Sequence, residues 1–309
     1  MGQRRIKIQL PGGLGNQLYA YFAGLYFAEA VDGTLIVDLS GIDYSHVQGD
    51  FDIRSFTLDG RVTRVLPASR MRKFTNSLTT RFINFDPFFE SKIKAFQNLF
   101  EDDRLLTRSE VEYIYTNRKN KYLSQLSLRG YFQDFGFLHG SDEIVSSLKL
   151  RNPSNCFLSM QEEFEREDVL AMHIRLGDLT VGKNFDLLGT LSEEYYKNAF
   201  EILSSRANFS KVYVFSDNPS LAMAILSGLN LRIEIVTPPP PSDPAESLVL
   251  MSRATGLVLG NSTFSFWAGV LSDSRYICYP SLFTRADLYT PKNVPEYWIP
   301  VVSSWREKQ

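Results

Sequence analysis

Between Val169 and Tyr279 the chain alternates short apolar runs with helical stretches, and this alternation constrains the fold more than any other property of the sequence. Val169–Arg175, Val212–Phe215, Arg232–Val236, Gly256–Gly260 and Tyr276–Tyr279 read as strands. The stretches between them read as helices. One opens on the capping-box pattern Thr190-Leu-Ser-Glu193 and runs to about Ser205, and another starts at Asp217-Asn-Pro219 with proline near its first turn. Glu246–Arg253 and Thr263–Leu271 supply the others, while the Pro238–Pro241 run makes a stiff loop that cannot enter a sheet. Strands joined by helices pair in parallel through right-handed crossovers, so this half is expected to form a doubly wound parallel sheet.

The first half begins in the same manner. Ile6–Leu10 reads as a strand, Pro11-Gly-Gly-Leu-Gly-Asn-Gln17 as a turn, Leu18–Val31 as a helix, and Leu35–Val37 as a second strand ending at Asp38. From Asp43 to Arg129 no period is legible. Ser141–Leu150 looks helical, and Arg151-Asn-Pro-Ser-Asn155 reads as a hinge. With roughly 150 residues per domain as a guide, the 309 residues divide into domains 1–155 and 156–309.

Composition removes several function classes. A net charge of −2 gives the whole protein no electrostatic case for nucleic-acid binding, and the basic clusters at Arg70, Arg72, Lys73 and at Arg118, Lys119, Lys121 have no accompanying stacking module. Cys156 and Cys278 fit no metal spacing and suggest no disulfide framework, so a reducing, cytoplasmic setting is expected. No secretory h-region follows Met1, and no apolar run approaches the ~20 residues of a membrane-spanning helix.

Four strings carry the chemistry, and each falls where a strand or loop gives way to a helix or turn. Gly12-Gly13-Leu-Gly15-Asn16-Gln17 lets backbone approach a ligand, and the helix behind it favours an anion. It is not the dinucleotide fingerprint, which counted from Gly13 needs glycine where Leu18 stands, and it lacks the Gly-Lys-Ser/Thr ending of a Walker loop. The plain alternative is a tight structural turn. His173-Ile-Arg175-Leu-Gly-Asp178 closes a strand, and alternation aims His173 and Arg175 the same way. Arg175 suits a diphosphate, with Asp178 orienting it or meeting sugar hydroxyls; the alternative is a structural Arg–Asp pair beside a satisfied histidine. Phe215-Ser-Asp217 follows a strand, and Asp217 either meets ligand or caps the next helix. Asn261-Ser262-Thr263-Phe264 places amides and hydroxyls at a helix N-terminus, with Phe264, Phe266 and Trp267 read first as core. Jointly the strings point to a diphosphate-bearing ligand held between two domains.

At these residues the chain resembles the inverting fucosyltransferases that use GDP-fucose, and most of all the α-1,2-fucosyltransferase family. The glycine string through Tyr19 matches that family's N-terminal signature. His173-Ile-Arg175-Leu176-Gly-Asp178 matches its His-x-Arg-Arg-Gly-Asp motif, Phe215-Ser-Asp217 its Phe-Ser-Asp, and Asn261-Ser-Thr-Phe-Ser-Phe-Trp267 its Asn-Ser-Ser-Phe-Ser-Trp-Trp. Gly130-Tyr-Phe-Gln133 resembles a further family stretch. Two positions depart from the pattern: Leu176 replaces the second arginine and Phe266 a tryptophan.

The resemblance implies a GT-B-type α/β fold of two Rossmann-like domains facing across a cleft, with the N-terminal one on the acceptor side and the C-terminal one binding GDP-fucose. It implies that Arg175 neutralises the leaving β-phosphate and that His173 contacts the donor; for the catalytic base, Asp178 and His173 are both candidates by residue type. Gly13, Gly15, Asn16, Gln17, His173, Arg175, Asp217, Asn261, Ser262, Thr263 and Phe264 would hold the donor. It implies no metal and no other cofactor, with a galactose-containing oligosaccharide or glycolipid as acceptor. The competing readings are another inverting fucosyltransferase (α-1,6 or protein O-linked), a metal-dependent enzyme using Asp50-Phe-Asp52, and a catalytically decayed nucleotide-sugar binder.

Overall fold

The computed structural model describes residues 4–42, 53–67, 125–138, 145, 148–179, 182–229, 231–241, 243–287 and 291–307. The Asp50–Asp52 pair, both basic clusters and most of Ser141–Leu150 lie outside them. The chain divides into two compact units, residues 1–149 and 150–309.

In the first unit, β1 (Arg5–Gln9) runs into α1 (Leu14–Ala30) and then β2 (Thr34–Asp38). The helix starts at Leu14, earlier than the apolar pattern suggested, because Gly13 takes the N-cap position and the Gln17 amide closes the first turn on the Gly13 carbonyl. Gly12 sits at φ +54°, a conformation glycine adopts freely. Leu18, Tyr19, Tyr21, Phe22, Leu25 and Phe27 are all buried, so α1 is a core helix rather than a two-faced one. Two strands emerge from the stretch without a legible period: β3 (Val62–Leu66) and β4 (Gln125–Arg129). All pairings are parallel, in the order β3-β2-β1-β4.

The second unit opens with α2 (Asn155–Arg166), absent from the sequence reading. Ser154 caps it by accepting from the Phe157 amide, and Phe157 and Phe164 form its buried stripe, so the expected hinge at 151–155 runs directly into a helix. Then follow β5 (Val169–Ile174), α3 (Gly182–Leu187), α4 (Glu193–Ser204), β6 (Lys211–Ser216), α5 (Pro219–Ser227), β7 (Glu234–Val236), α6 (Pro244–Ser252), β8 (Gly256–Val258), α7 (Thr263–Val270), β9 (Tyr276–Pro280) and β10 (Ile299–Val301). The parallel sheet has six strands, not five, in the order β10-β9-β8-β5-β6-β7. The sixth is three residues long with proline at its centre, which hides it from a period-two search.

The capping-box expectation fails in detail. Ser192 holds the N-cap position of α4, yet its hydroxyl donates to Ser304 at 2.6 Å, while Thr190 donates to the Leu179 carbonyl at 3.0 Å. Tertiary partners have displaced the local motif. One face of the sheet packs Leu170, Met172, Ile174, Val212, Val214, Val258 and Cys278 against Tyr195, Tyr196, Ala199 and Leu203 of α4 and Ala222, Ile225 and Leu226 of α5. On the other face Phe164 of α2 meets Tyr213 and Phe215 of β6. No helix among the described residues is long and apolar enough to cross a membrane.

Candidate active site

In an open parallel sheet, ligands bind outside the carboxyl ends of the strands, where the strand order reverses. In the second unit that point lies between β5 and β8, since the chain moves from β5 to β6 and β7 on one side and to β8, β9 and β10 on the other. His173-Ile-Arg175 leaves β5 there, Phe215-Ser-Asp217 leaves the adjacent β6, and Gly260-Asn-Ser-Thr263 follows β8 into α7. The structure thus brings together three of the four strings.

Register makes the first contact. His173 pairs with Phe215 and Ile174 with Ser216, so Arg175 and Asp217 come level one residue past their strands. Arg175 Nη1 lies 2.7 Å from Asp217 Oδ2, and the Leu176 amide donates to Asp217 Oδ1 at 2.9 Å. A Cβ at Gly177 would collide with Asp217 Oδ2, so the glycine of the motif makes room for the carboxylate. Asp217 therefore orients Arg175, the part the sequence had offered to Asp178, and it does not cap α5. Asn218 does that, accepting from the Leu221 amide at 3.2 Å. Asp178 lies in the single turn Gly177–Leu179, and its side chain is outside the described residues. The sequence shows each of the two charged residues just past the end of a strand, but it takes the β5–β6 register to set Arg175 and Asp217 side by side.

Leu176, where the family motif has its second arginine, is fully buried in the core cluster with Ile174. Alternation turns this position away from Arg175 and into the sheet's packed face.

His173 is buried at 6% exposure, and its Nδ1 has no hydrogen-bond partner among the described residues. Burial, and secondarily the Arg175 guanidinium, pushes the imidazole pKa down to about 3, so the ring is neutral at neutral pH. Its ring centroid is 5.8 Å from that of Phe264. Phe266 and Trp267 are core residues.

The residues after β8 are tied mainly to the protein. Asn261 is buried, and its Nδ2 donates to the Gly189 carbonyl at 3.0 Å, holding the end of the loop that carries Gly177–Leu187; its Oδ1 has no partner among the described residues. The Ser262 hydroxyl accepts from the Phe264 amide as the cap of α7, and Thr263 and Phe264 are half-buried in its first turn. Tyr195, which the sequence did not single out, donates to the Leu259 carbonyl at 2.5 Å and so fixes the end of β8 from α4.

The fourth string sits in the first unit, at the corresponding reversal between β1 and β4. Gly13 and Gly15 form the start of α1. Asn16 Oδ1 accepts from Gln133 Nε2 at 2.8 Å. Gln17, expected to face the donor, is instead fully buried: its Nε2 donates to the Gly12 carbonyl and its Oε1 accepts from the Ile53 amide at 3.0 Å. Both ends of that amide brace the turn. Nearby, Arg129 Nε donates to Gln9 Oε1, and Gln9 Nε2 donates to Ser40 Oγ at 2.8 Å. Among the described residues no group of three or more His, Cys, Asp or Glu side chains is placed to hold a metal ion.

Residues 115–282 match glycosyl transferase family 11. A curated alpha-1,2-colitosyltransferase of Escherichia coli is 26% identical over 306 residues, covering 94% of this chain and 97% of that protein. The fold is similar to that of NodZ alpha-1,6-fucosyltransferase, soaked with GDP-fucose, at a TM-score of 0.53 and 16% identity, covering 87% of this chain and 93% of that one. It is also similar to POFUT1 in complex with GDP-fucose, at a TM-score of 0.50 and 17% identity, covering 88% and 95%.

Proposed function

Because the chain belongs to glycosyl transferase family 11, we propose that it moves L-fucose from GDP-β-L-fucose to O2 of a terminal β-galactoside, inverting the anomeric carbon and using no metal or other cofactor. The observation that carries this reading is the Arg175 guanidinium, held by Asp217 at 2.7 Å beside the reversal of a parallel sheet. The matched fucosyltransferase structures contain GDP-fucose, and the curated relative forms an alpha-1,2 linkage.

Breaking the fucose–phosphate bond puts negative charge on the departing GDP and oxocarbenium character on the sugar. Arg175 meets the first of these with a charge fixed in advance, and the start of α7 adds backbone N–H groups. Asp217 keeps the guanidinium in place, so little reorganisation is needed as charge develops. Burial keeps His173 neutral beside Arg175, so we assign it to donor contact, and we assign Asp178, by residue type and its place after Gly177, to the role of base for the acceptor hydroxyl. In this reading each domain is Rossmann-like, as in the GT-B type, and the doubly wound sheet of the second carries the donor. The acceptor is a galactose-containing oligosaccharide or glycolipid, and the setting is the cytoplasm of a bacterial cell.

A second donor is favoured by the colitosyltransferase likeness. Colitose is fucose without its 3-hydroxyl, so the two donors differ by one hydrogen-bonding group. A site that hydrogen-bonds a substrate hydroxyl rejects the analogue lacking it by roughly 10⁴-fold or more, whereas an apolar site discriminates weakly.

The test is GDP release from GDP-fucose and GDP-colitose in EDTA, with and without a panel of β-galactosides, followed by linkage analysis of the product. Acceptor-stimulated release that survives EDTA and yields an α-1,2-fucoside is expected. A requirement for added divalent metal, or a 6-linked product, would overturn the reading; preference for GDP-colitose would replace the donor.

A further inference from the structure

Thr190 belongs to none of the four strings, yet its hydroxyl reaches back to the turn that carries Asp178. Thr190 Oγ1 donates to the Leu179 carbonyl at 3.0 Å, and both residues are buried. A carbonyl oxygen only accepts, so the hydroxyl is the donor and the bond has a single sense. Leu179 closes the single turn Gly177–Leu179, its amide donating to the Leu176 carbonyl at 2.8 Å. Leu176 is itself tied, since its amide donates to Asp217 Oδ1 at 2.9 Å. The backbone of Asp178 therefore runs between two held neighbours, one fixed by Asp217 and the other by Thr190. Thr190 is fixed in its turn. The Arg306 amide donates to its carbonyl at 2.9 Å, and Asn261 Nδ2 donates to the carbonyl of Gly189 at 3.0 Å. Gly189 sits at φ +74°, and a Cβ there would come within 2.7 Å of Arg285 Cβ and of the Trp305 ring. The stretch returning from α3 is thus fitted against residues 285–306, and the Thr190 hydroxyl carries that placement across to the turn.

We propose that Thr190 is a positioning residue that fixes the turn carrying Asp178, as Asp217 fixes Arg175. This rests on reading Asp178 as the base for the acceptor hydroxyl. Without the Thr190 hydroxyl the buried Leu179 carbonyl loses its donor, and a buried acceptor left unmet is costly enough to shift the turn. A misplacement of about 1 Å at a reacting group can cost on the order of 100-fold in rate. The Arg175–Asp217 pair does not depend on this bond, so the grip on GDP should survive its loss.

The experiment compares wild type, Thr190→Ser, Thr190→Val, Thr190→Ala, Asp178→Asn and Thr190→Val/Asp178→Asn. Serine keeps the donor, valine keeps the shape without it, and alanine has neither. kcat and acceptor KM are measured with whichever nucleotide sugar the wild type turns over, and GDP affinity by calorimetry. Hydrogen exchange of the Leu179 amide is followed by NMR in the ligand-free protein.

Thr190→Val and Thr190→Ala are each expected to lower kcat by roughly 10- to 100-fold, with acceptor KM and GDP affinity within about threefold of wild type. Thr190→Ser should stay within about threefold, and the valine penalty should shrink to less than about threefold once residue 178 is asparagine. Equal losses in all three Thr190 variants, an undiminished valine penalty in the Asp178→Asn background, or GDP affinity falling along with kcat would overturn the proposal. So would wild-type kcat in Thr190→Val; if that variant does not fold, Thr190→Ala decides. Full activity of Asp178→Asn would remove the reading of Asp178 as base, and this proposal with it. A wild type without turnover would count against the proposed function instead, and exchange at Leu179 would then decide alone. Faster exchange in the valine and alanine variants, restored by serine, upholds the tie, and unchanged exchange refutes it.

Discussion

The two sheets share a plan and differ in what they place at its one distinctive point. In each, the first strand is flanked by the second on one side and by a later strand on the other, giving the orders β3-β2-β1-β4 and β10-β9-β8-β5-β6-β7. At the β1/β4 reversal stand amides: Asn16 on Gln133, Gln17 on the Gly12 carbonyl, and Gln9 holding Arg129. At the β5/β8 reversal stand a carboxylate-held guanidinium and a buried neutral histidine. Topology alone therefore marks two places where a ligand fits, and side chains assign them different work. Neutral donors and acceptors match sugar hydroxyls and ring oxygens, whereas a fixed cation matches a leaving diphosphate.

The largest effect comes from forcing the second reversal to look more like the family motif. Leu176→Arg would bury a cation in an apolar cluster with no partner, and we expect a loss of about 3–5 kcal/mol in urea unfolding. A stable, more active Leu176→Arg protein would mean that position 176 turns toward the ligand after all. Next is Asp217→Asn, which keeps an acceptor for the Leu176 amide but removes the charge that holds Arg175. A fall in kcat/KM of roughly 10- to 100-fold with little change in unfolding is expected. Unchanged kinetics would show that Arg175 needs no anchor.

Gln17→Leu tests the first reversal from the opposite side. It strands the Gly12 carbonyl and the buried Ile53 amide, so stability should drop by about 1–3 kcal/mol while kcat/KM at saturating folding stays near wild type. A kinetic loss without a stability loss would return Gln17 to the donor site. The most gradual effect, spread over several pH units, is the pH response of His173. Its folded pKa of about 3 lies below the ordinary 6.5, so between these values the unfolded chain holds a proton that the native protein excludes. The His173 contribution to stability is then flat above pH 6.5 and declines by up to about 1.4 kcal/mol per unit as pH falls toward 3. His173→Phe should flatten that part of the curve in urea titrations at a series of pH values, and an unaltered slope would locate the proton uptake elsewhere.

Sequence pattern carried the second unit further than the first because its strands are short, apolar and regularly punctuated by helices. Val169–Ile174 and Lys211–Ser216 lie within a residue or two of their expected limits. What escaped was set by tertiary contacts. Strand Ile299–Val301 is too short to show a period, and helix Asn155–Arg166 hid behind a proline that looked like a hinge. Residue types at the site were legible, but pairings were not. Asp217 looked like a cap or a ligand, and only the β5–β6 register makes it the partner of Arg175. Gln17 looked like a donor contact because a turn needs no amide there, yet Ile53, far along the chain, supplies the missing partner. The family resemblance drawn from the motifs agrees with the family 11 match, while Leu176 is explained by the packed face it joins.

The most direct measurement is the dissociation constant of GDP, by calorimetry, for wild type, Arg175→Ala and Arg129→Ala. If the diphosphate is gripped at the second sheet's reversal, Arg175→Ala should weaken GDP by roughly 100-fold and Arg129→Ala by less than about threefold. Equal losses, or a larger one at Arg129, would contradict the assignment of charge chemistry to the second unit and amide chemistry to the first.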